Sequence, residues 1–221
     1  ICALSNAATL RMQNIAAGQT GRISIAYLAD QASLLSHYLA GFSHENPSLQ
    51  IDTFVLSGSE LTQSINAGEY DVYFGSELLF SNPASYEVLL GKVSPLELFI
   101  PNTLLGKFQQ EDWSSLCQIP FISIWKEDIT LYERIQTIIN NHSFTPTVQY
   151  SYSHPESILV SVNAGIGFTI LPSGFKNTYQ FSNTHTIHLE DEAAQITSAI
   201  AFHSNTCNIA ISKFHDFVIR K

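Results

Sequence analysis

The sequence predicts an α/β fold of two Rossmann-like lobes, with mixed, mostly parallel sheets and a ligand cleft between the lobes. Three observations carry that expectation. The chain has 221 residues, 45% hydrophobic and only 13% charged, which is enough apolar material for a large core or two smaller ones and too little charge for a disordered chain. Its β-type runs alternate with amphipathic helical stretches, the order that produces βαβ crossovers and parallel pairing. The alternation pauses around 94–118 and then resumes, so the units fall into two sets.

Taken in order, Leu4, Ala8, Met12 and Ile15 stand at helical spacing over 4–16, and Gly18 ends that helix. RISIAY at 22–27 is a β-type run. Asp30 then precedes a stretch in which Leu34, Leu35, Tyr38, Leu39 and Phe42 share one helical face, broken at Asn46-Pro47. The pattern repeats with a strand at 49–56, a turn and cap at Ser57-Gly58-Ser59, a helix at 60–68 closed by Gly68, and a strand at 71–76. A polar stretch at 81–87 leads to a strand at 94–101 and an irregular segment after it. The second set has strands at 119–125 and 146–152, helices at 130–141 and 155–165, and a strand at 166–172. THTIHLED and ITSAIAFH are strands, and 208–221 is an amphipathic helix. The simplest assembly joins the lobes at 94–101 and returns the last helix to the first lobe. Lobe I is then 21–96 with 191–221, and lobe II is 97–190.

Charge and motifs exclude several functions. Nineteen acidic residues against 10 Lys and Arg give a net charge of −9, which opposes the phosphate contacts that supply most nucleic-acid affinity. Cys2, Cys117 and Cys207 are an odd number without C-x-x-C spacing, so neither a disulfide framework nor a zinc site is expected. No apolar run of membrane-spanning length or signal-peptide pattern is visible, and a cytoplasmic, membrane-free protein is expected. Eight histidines include His185-x-x-His188 and the pair His37 and His44, but residues three apart on a strand face opposite sides and no third ligand is evident, so no metal is expected. Ser57-Gly58-Ser59 is not a nucleophile elbow, and Cys117 has no activating partner. Gly165-x-Gly167 lacks the third glycine of a dinucleotide loop and reads instead as a helix stop and a close-packing point. No enzyme activity and no cofactor are expected.

Open α/β sheets bind ligands beyond the carboxyl ends of their strands, where helices begin. The turn Leu28, Ala29, Asp30 and Gln31 therefore faces the cleft, with Asp30 either a ligand contact or a plain helix cap. Ser57, Gly58 and Ser59 form the equivalent turn after the next strand, where glycine lets a ligand approach and either serine caps or contacts it. From the second lobe come Ser123, at a strand end, and Ser153 and His154 before the 155–165 helix. Ser153 with Pro155 and Glu156 also reads as a capping box. Phe74 and Tyr152 are candidate apolar walls or plain core.

Four segments carry a family resemblance: Gly21-Arg22-Ile23-Ser24-Ile25, Phe42 with Asn46-Pro47, Gly68-Glu69-Tyr70-Asp71-Val72, and Ala164-Gly165-Ile166-Gly167 followed by Leu171-Pro172. In order and spacing they resemble the effector-binding region of LysR-type transcriptional regulators, which share the bilobal fold of type 2 periplasmic solute-binding proteins. The resemblance implies a small-molecule effector, a homodimer or homotetramer, and DNA binding only through a winged helix-turn-helix that these residues do not contain. It also makes residues 1–20 the end of a linker helix, and pairs the 31–43 helix of one subunit with the 60–67 helix of another, with Ala40 and Gly41 allowing close approach. Ser153 falls where the family often places a ligand-contacting hydroxyl. Anion-sensing members commonly carry a hydroxyl where this chain has Asp30, so a neutral or cationic effector is implied. The alternatives are a solute-binding protein of a transporter, which needs export, and an enzyme using the same cleft.

Overall fold

The computed structural model describes residues 21–80, 85–108, 112–126, 128–204 and 208–221; the predicted helix at 4–16, Cys2 and Cys207 lie outside them. β1 (Gly21–Leu28) pairs in parallel with β2 (Leu49–Leu56) along its whole length and with β3 (Val72–Ser76) on its other side. The connections are α1 (Ala32–Glu45) and α2 (Gly58–Ala67), the crossovers that parallel pairing requires. β4 (Tyr86–Val93) completes the sheet with the late strand β10 (Thr197–His203), giving the order β2-β1-β3-β10-β4. The chain crosses to the second lobe on β5 (Leu96–Pro101), followed by the short α3 (Asn102–Leu105), β6 (Phe121–Ile124), α4 (Ile129–Asn141) and β7 (Val148–Tyr152). Then come α5 (Pro155–Asn163), β8 (Thr169–Pro172), the one-turn α6 (Phe175–Thr178) and β9 (Thr184–His188). After β10, α7 (Ile209–Ile219) packs back on the first sheet.

The sheets are mixed as expected, but their balance differs from the predominantly parallel one predicted. β10 runs antiparallel to β3 and β4, and β5 runs antiparallel to β8 and β9, whereas β6 and β7 are parallel. Strands β5 and β10 are reached across the connections between lobes rather than over a crossover helix, so nothing obliges them to run parallel to their neighbours. A parallel bridge between Phe121 and Phe168 ties the β6–β7 pair to the β8-β5-β9 sheet. The strand β4 was not predicted. It lies at a sheet edge with most of its side chains at least partly exposed, so it lacks a clean apolar alternation.

Period-2 alternation sorts the first sheet's residues onto two faces. Ile23, Ile25, Val72, Phe74, Ile200 and Phe202 meet Leu35 and Phe42 of α1 and Phe214 and Phe217 of α7. Ala26, Tyr73, Ala199 and Ala201 face the other way, against Leu61 of α2. The second lobe has its own core, in which Leu98, Ile100, Phe121, Ile122, Ile138, Ile158 and Phe168 are buried. Gly165 stops α5 at φ 84, a left-handed conformation that glycine adopts without penalty. A Cβ at Gly167 would overlap the Pro120 carbonyl, so both glycines have the roles their spacing predicts.

Candidate functional site

The carboxyl end of β1 does not run directly into α1. A 3₁₀ turn, Ala29–Gln31, intervenes, and α1 is capped at Gln31 without a side-chain cap bond. Asp30 is therefore not the N-cap that its position suggested. It is 8% exposed and accepts a hydrogen bond from Gln31 Nε2 at 2.6 Å. Burial pushes its pKa up to about 6, against the pull of that hydrogen bond, and the nearby charges of Asp128 and Glu156 add to the rise.

The second lobe clamps this turn. Thr178 Oγ1 donates to the Ala29 carbonyl at 3.2 Å, and Ala29 itself packs into the second lobe's core. A Cβ at Gly174 would overlap the Asp30 carbonyl and lie 3.1 Å from the Asp30 Cβ, so the two backbones touch there only because residue 174 has no side chain.

The second turn is a complete capping box. Ser57 N and Oγ both donate to Glu60 Oε2 at 2.8 Å, Glu60 N donates to Ser57 Oγ, and Ser59 Oγ lies 3.3 Å from Ser57 Oγ. The Ser57 N–H and hydroxyl hold the Glu60 carboxyl below its ordinary pKa, with a smaller contribution from His154 of the second lobe. Ser57 is thus committed to the helix, and Gly58 is the member of the turn that borders the cavity.

Between the lobes lies a cavity of about 40 Å³, bordered by Leu28, Asp30, Gln31, Gly58 and Ser76 of the first lobe, Asp128, Thr130, Leu131 and Pro172 of the second, and Ser94, Ile196 and Ser198 of the connecting strands. That is space for one or two waters, so the lobes are closed on each other. Among its described lining residues the charged side chains are both carboxylates, Asp30 and Asp128. Burial pushes Asp128 up as well, against the pull of the Leu131 backbone N–H. A broader depression of about 520 Å³, lined by Phe99, Lys176 and Tyr179 among others, lies on the second lobe outside this cleft and gathers none of the predicted residues.

The structure thus brings together Leu28, Asp30, Gln31 and Gly58, with Ala29, Ser57 and Ser59 beside them. Phe74 is elsewhere. It is fully buried on the α1 and α7 face of the sheet, a core residue rather than a wall. Ser123 is buried with its hydroxyl donated to the Ile124 carbonyl. Tyr152 packs on the second core and accepts a hydrogen bond from Ser161 Oγ at 3.3 Å. The capping box read at Ser153 does not form, because α5 is capped at His154 without a side-chain cap bond and Glu156 instead accepts from Tyr179 Oη at 3.3 Å. Burial and that carboxylate push the Tyr179 pKa up.

Sequence reasoning missed Asp128, Glu156, Gly174 and Tyr179. A signal existed for Asp128, which stands between β6 and α4 as Asp30 stands between β1 and α1. Among the described residues, no group of three or more His, Cys, Asp or Glu is arranged to hold a metal ion.

By structure, the chain is similar to CbnR, a LysR family transcriptional regulator, at TM-score 0.76 and 16% identity over 99% of this chain and 75% of that one. It is similar to the CcmR regulatory domain of Synechocystis PCC6803 in complex with 2-PG, at 0.74 and 15% over 91% and 97%. The effector binding domain of a BenM variant matches at 0.71 and 18% over 90% and 93%. No curated protein matches the sequence. The family model described as the LysR substrate binding domain matches residues 16–221, which favours the regulator over the transporter alternative. The chain belongs to the LysR substrate-binding domain family, the effector-binding part of LysR-type transcriptional regulators.

Proposed function

We propose that this domain senses a small neutral or cationic effector in the cleft between its lobes, and that Asp30 selects against carboxylates. The observation that carries this reading is the cavity lining, where the charged groups are Asp30 and Asp128, with Glu156 close enough to raise the Asp30 pKa. A ligand carboxylate placed about 4 Å from an ionised Asp30 meets a repulsion on the order of 4 kcal/mol in a partly dry site, whereas an amine there gains a similar attraction. Leu28, Gln31 and Gly58 complete the first lobe's side of the site, and Ala29, Ser57 and Ser59 support it. On the second lobe's side we assign Tyr152, Ser153 and His154, supported by the effect of the His154 charge on Glu60 across the lobes; Ser123 is committed to the Ile124 carbonyl, and Phe74 is left out as core.

A metabolite is far larger than 40 Å³, so binding requires the lobes to part. An effector then acts by favouring one lobe arrangement over another. The CcmR regulatory domain, solved with 2-PG, is a precedent for small-molecule binding by this fold. A thermal-shift screen of matched amines, neutral amides and carboxylates on the wild-type domain tests the reading. Ligand at 100 times its Kd adds about 2.7 kcal/mol of stability. Stabilisation confined to the amine or neutral series supports it, and stabilisation confined to carboxylates contradicts it.

Self-association belongs to the same proposal. The pairing of the 31–43 helix with the 60–67 helix of another subunit, as homodimer or homotetramer, is supported by apolar exposure on the edge strand β2, where Val55 on the α1 face is 54% exposed and Phe54 on the α2 face is 39% exposed. Gly41 does not serve that approach as expected. It lies beneath the Phe217 ring within its own chain, and a Cβ there would come 2.8 Å from Phe217 Cζ. Ala40 remains on the outer face. DNA contact in the whole regulator is assigned to a part outside this domain, in keeping with the full-length CbnR structure solved with its target DNA.

A further inference from the structure

We infer that the depression of about 520 Å³ on the second lobe is a second ligand site, built for a neutral aromatic compound that carries a hydrogen-bonding group. It stands apart from the cleft and does not depend on which effector class the cleft selects.

The floor of the depression is apolar: Phe99 of β5, Leu159 of α5 and Phe175 of α6 line it, and all three are buried. One side is a ladder of rings. Phe175, Tyr179 and Phe181 follow one another with centroids 6.3 and 6.0 Å apart and planes 18° and 22° from parallel. A further flat ring gains most beside rings so arranged, because aromatic pairs add geometry-dependent attraction to the area they bury. A second side is β9. Antiparallel pairing puts Thr186 across from Phe99 and Thr184 across from Pro101, so both threonines share the face of the sheet that carries Phe99.

The polar groups set the ligand's chemistry. Thr184 lines the depression, and its Oγ1 is buried with no hydrogen-bond partner among the described residues. An unpaired buried hydroxyl is costly, and an occupant with a donor or acceptor removes that cost. Lys176 is the one charged side chain among the described lining residues. Its ammonium donates to Glu97 Oε1 at 2.6 Å, and Glu97 is only 5% exposed. A ligand carboxylate therefore finds the cation already paired, with a second carboxylate behind it, and a ligand amine meets the ammonium. A neutral ligand meets neither obstacle. The volume falls within the range of about 300–1,000 Å³ usual for small-molecule sites, where the closed cleft offers about 40 Å³.

The test uses benzamide, with benzoate and benzylamine as its charged counterparts and cyclohexanecarboxamide as the non-aromatic one, titrated into the isotope-labelled wild-type chain. Benzamide should move the amide signals of Phe99, Thr184 and Thr186 saturably, and the other three compounds should bind there more weakly by about threefold or more. Thr184→Val exchanges the hydroxyl for a methyl group. It should weaken benzamide by about threefold to tenfold while its thermal midpoint stays level or rises, because the hydroxyl has no partner to lose. A hydroxyl with a purely structural role would instead lower the midpoint and leave binding unchanged. Phe181→Leu keeps an apolar side chain without the ring, and should weaken benzamide but not cyclohexanecarboxamide. Signals that move only at the cleft residues Leu28, Asp30 and Gly58, equal binding of benzamide and cyclohexanecarboxamide, or equal benzamide affinity in wild type and Thr184→Val overturns the inference. The site is located by which signals move, whereas the cleft reading fails on which ligand class stabilises the wild type, so the two failures are distinguishable.

Discussion

Asp30 is a buried acid whose titration bears on stability and, in the proposed function, on recognition. Its carboxyl titrates near 6 in the fold and near 3.8 when free, so the folded state binds a proton that the unfolded chain has already released. Ionising it therefore destabilises the fold, progressively as pH rises from about 4 to about 6, by up to about 3 kcal/mol. Asp30→Asn keeps a carbonyl for Gln31 Nε2 and removes the charge. It should be more stable than wild type above pH 6 and no different below pH 4, as read by denaturant unfolding across that range. Phe74 behaves in the opposite way. As a fully buried ring against Phe214 and Tyr38, its replacement by Ala should cost about 3–5 kcal/mol while leaving the relative preference among ligands unchanged. These two residues also mark what the sequence disclosed at this scale. That Asp30 faces the cleft followed from its place after a strand. That it is a buried acid with a 3₁₀ turn beneath it did not, because its burial comes from Gly174 and Thr178, nearly 150 residues away.

Among the elements, those with a local code were legible. The β2 strand spans 49–56 as read, and the Gly68 and Gly165 stops fall where predicted because each needs a left-handed residue. The Ser57-x-x-Glu60 box formed because all its partners lie within four residues, whereas the Ser153-x-x-Glu156 box did not, since Tyr179 competes for Glu156 from across the lobe. Ser57→Ala should accordingly cost about 1 kcal/mol, and Ser153→Ala close to nothing, a contrast that paired urea titrations resolve. The edge strand β4 and the antiparallel insertion of β10 depend on partners distant in the chain and left no periodic trace. The contact of α6 with the 3₁₀ turn is of that kind too. Gly174→Ala should force the touching backbones apart, costing on the order of 1–3 kcal/mol and enlarging the domain in solution, seen as a larger radius of gyration by small-angle X-ray scattering.

For the whole molecule, two lobes are closed on a cavity of about 40 Å³, and the proposed output of effector binding is the angle between them. The bilobal fold was readable because strand–helix alternation occurs twice with a pause between, and the balance of parallel and antiparallel pairs was not, because alternation does not encode the direction of strands that cross between lobes. A net charge of −9 leaves the domain without the field that nucleic acid requires. A gel shift with duplex DNA at moderate salt should show no complex. Sedimentation at high concentration should show association beyond a monomer, and a strict monomer would count against the pairing through α1.

The central claim is that the cleft discriminates by charge through Asp30. The most direct measurement compares wild type with Asp30→Ser for binding of amine, neutral and carboxylate ligands of one shape, by calorimetry at a pH well above 6. The wild type should favour the amine or neutral ligand, and the serine variant should shift toward the carboxylate by 10-fold or more, about 1.4 kcal/mol or above. A wild type that already prefers the carboxylate, with that preference unchanged by the substitution, would contradict the account.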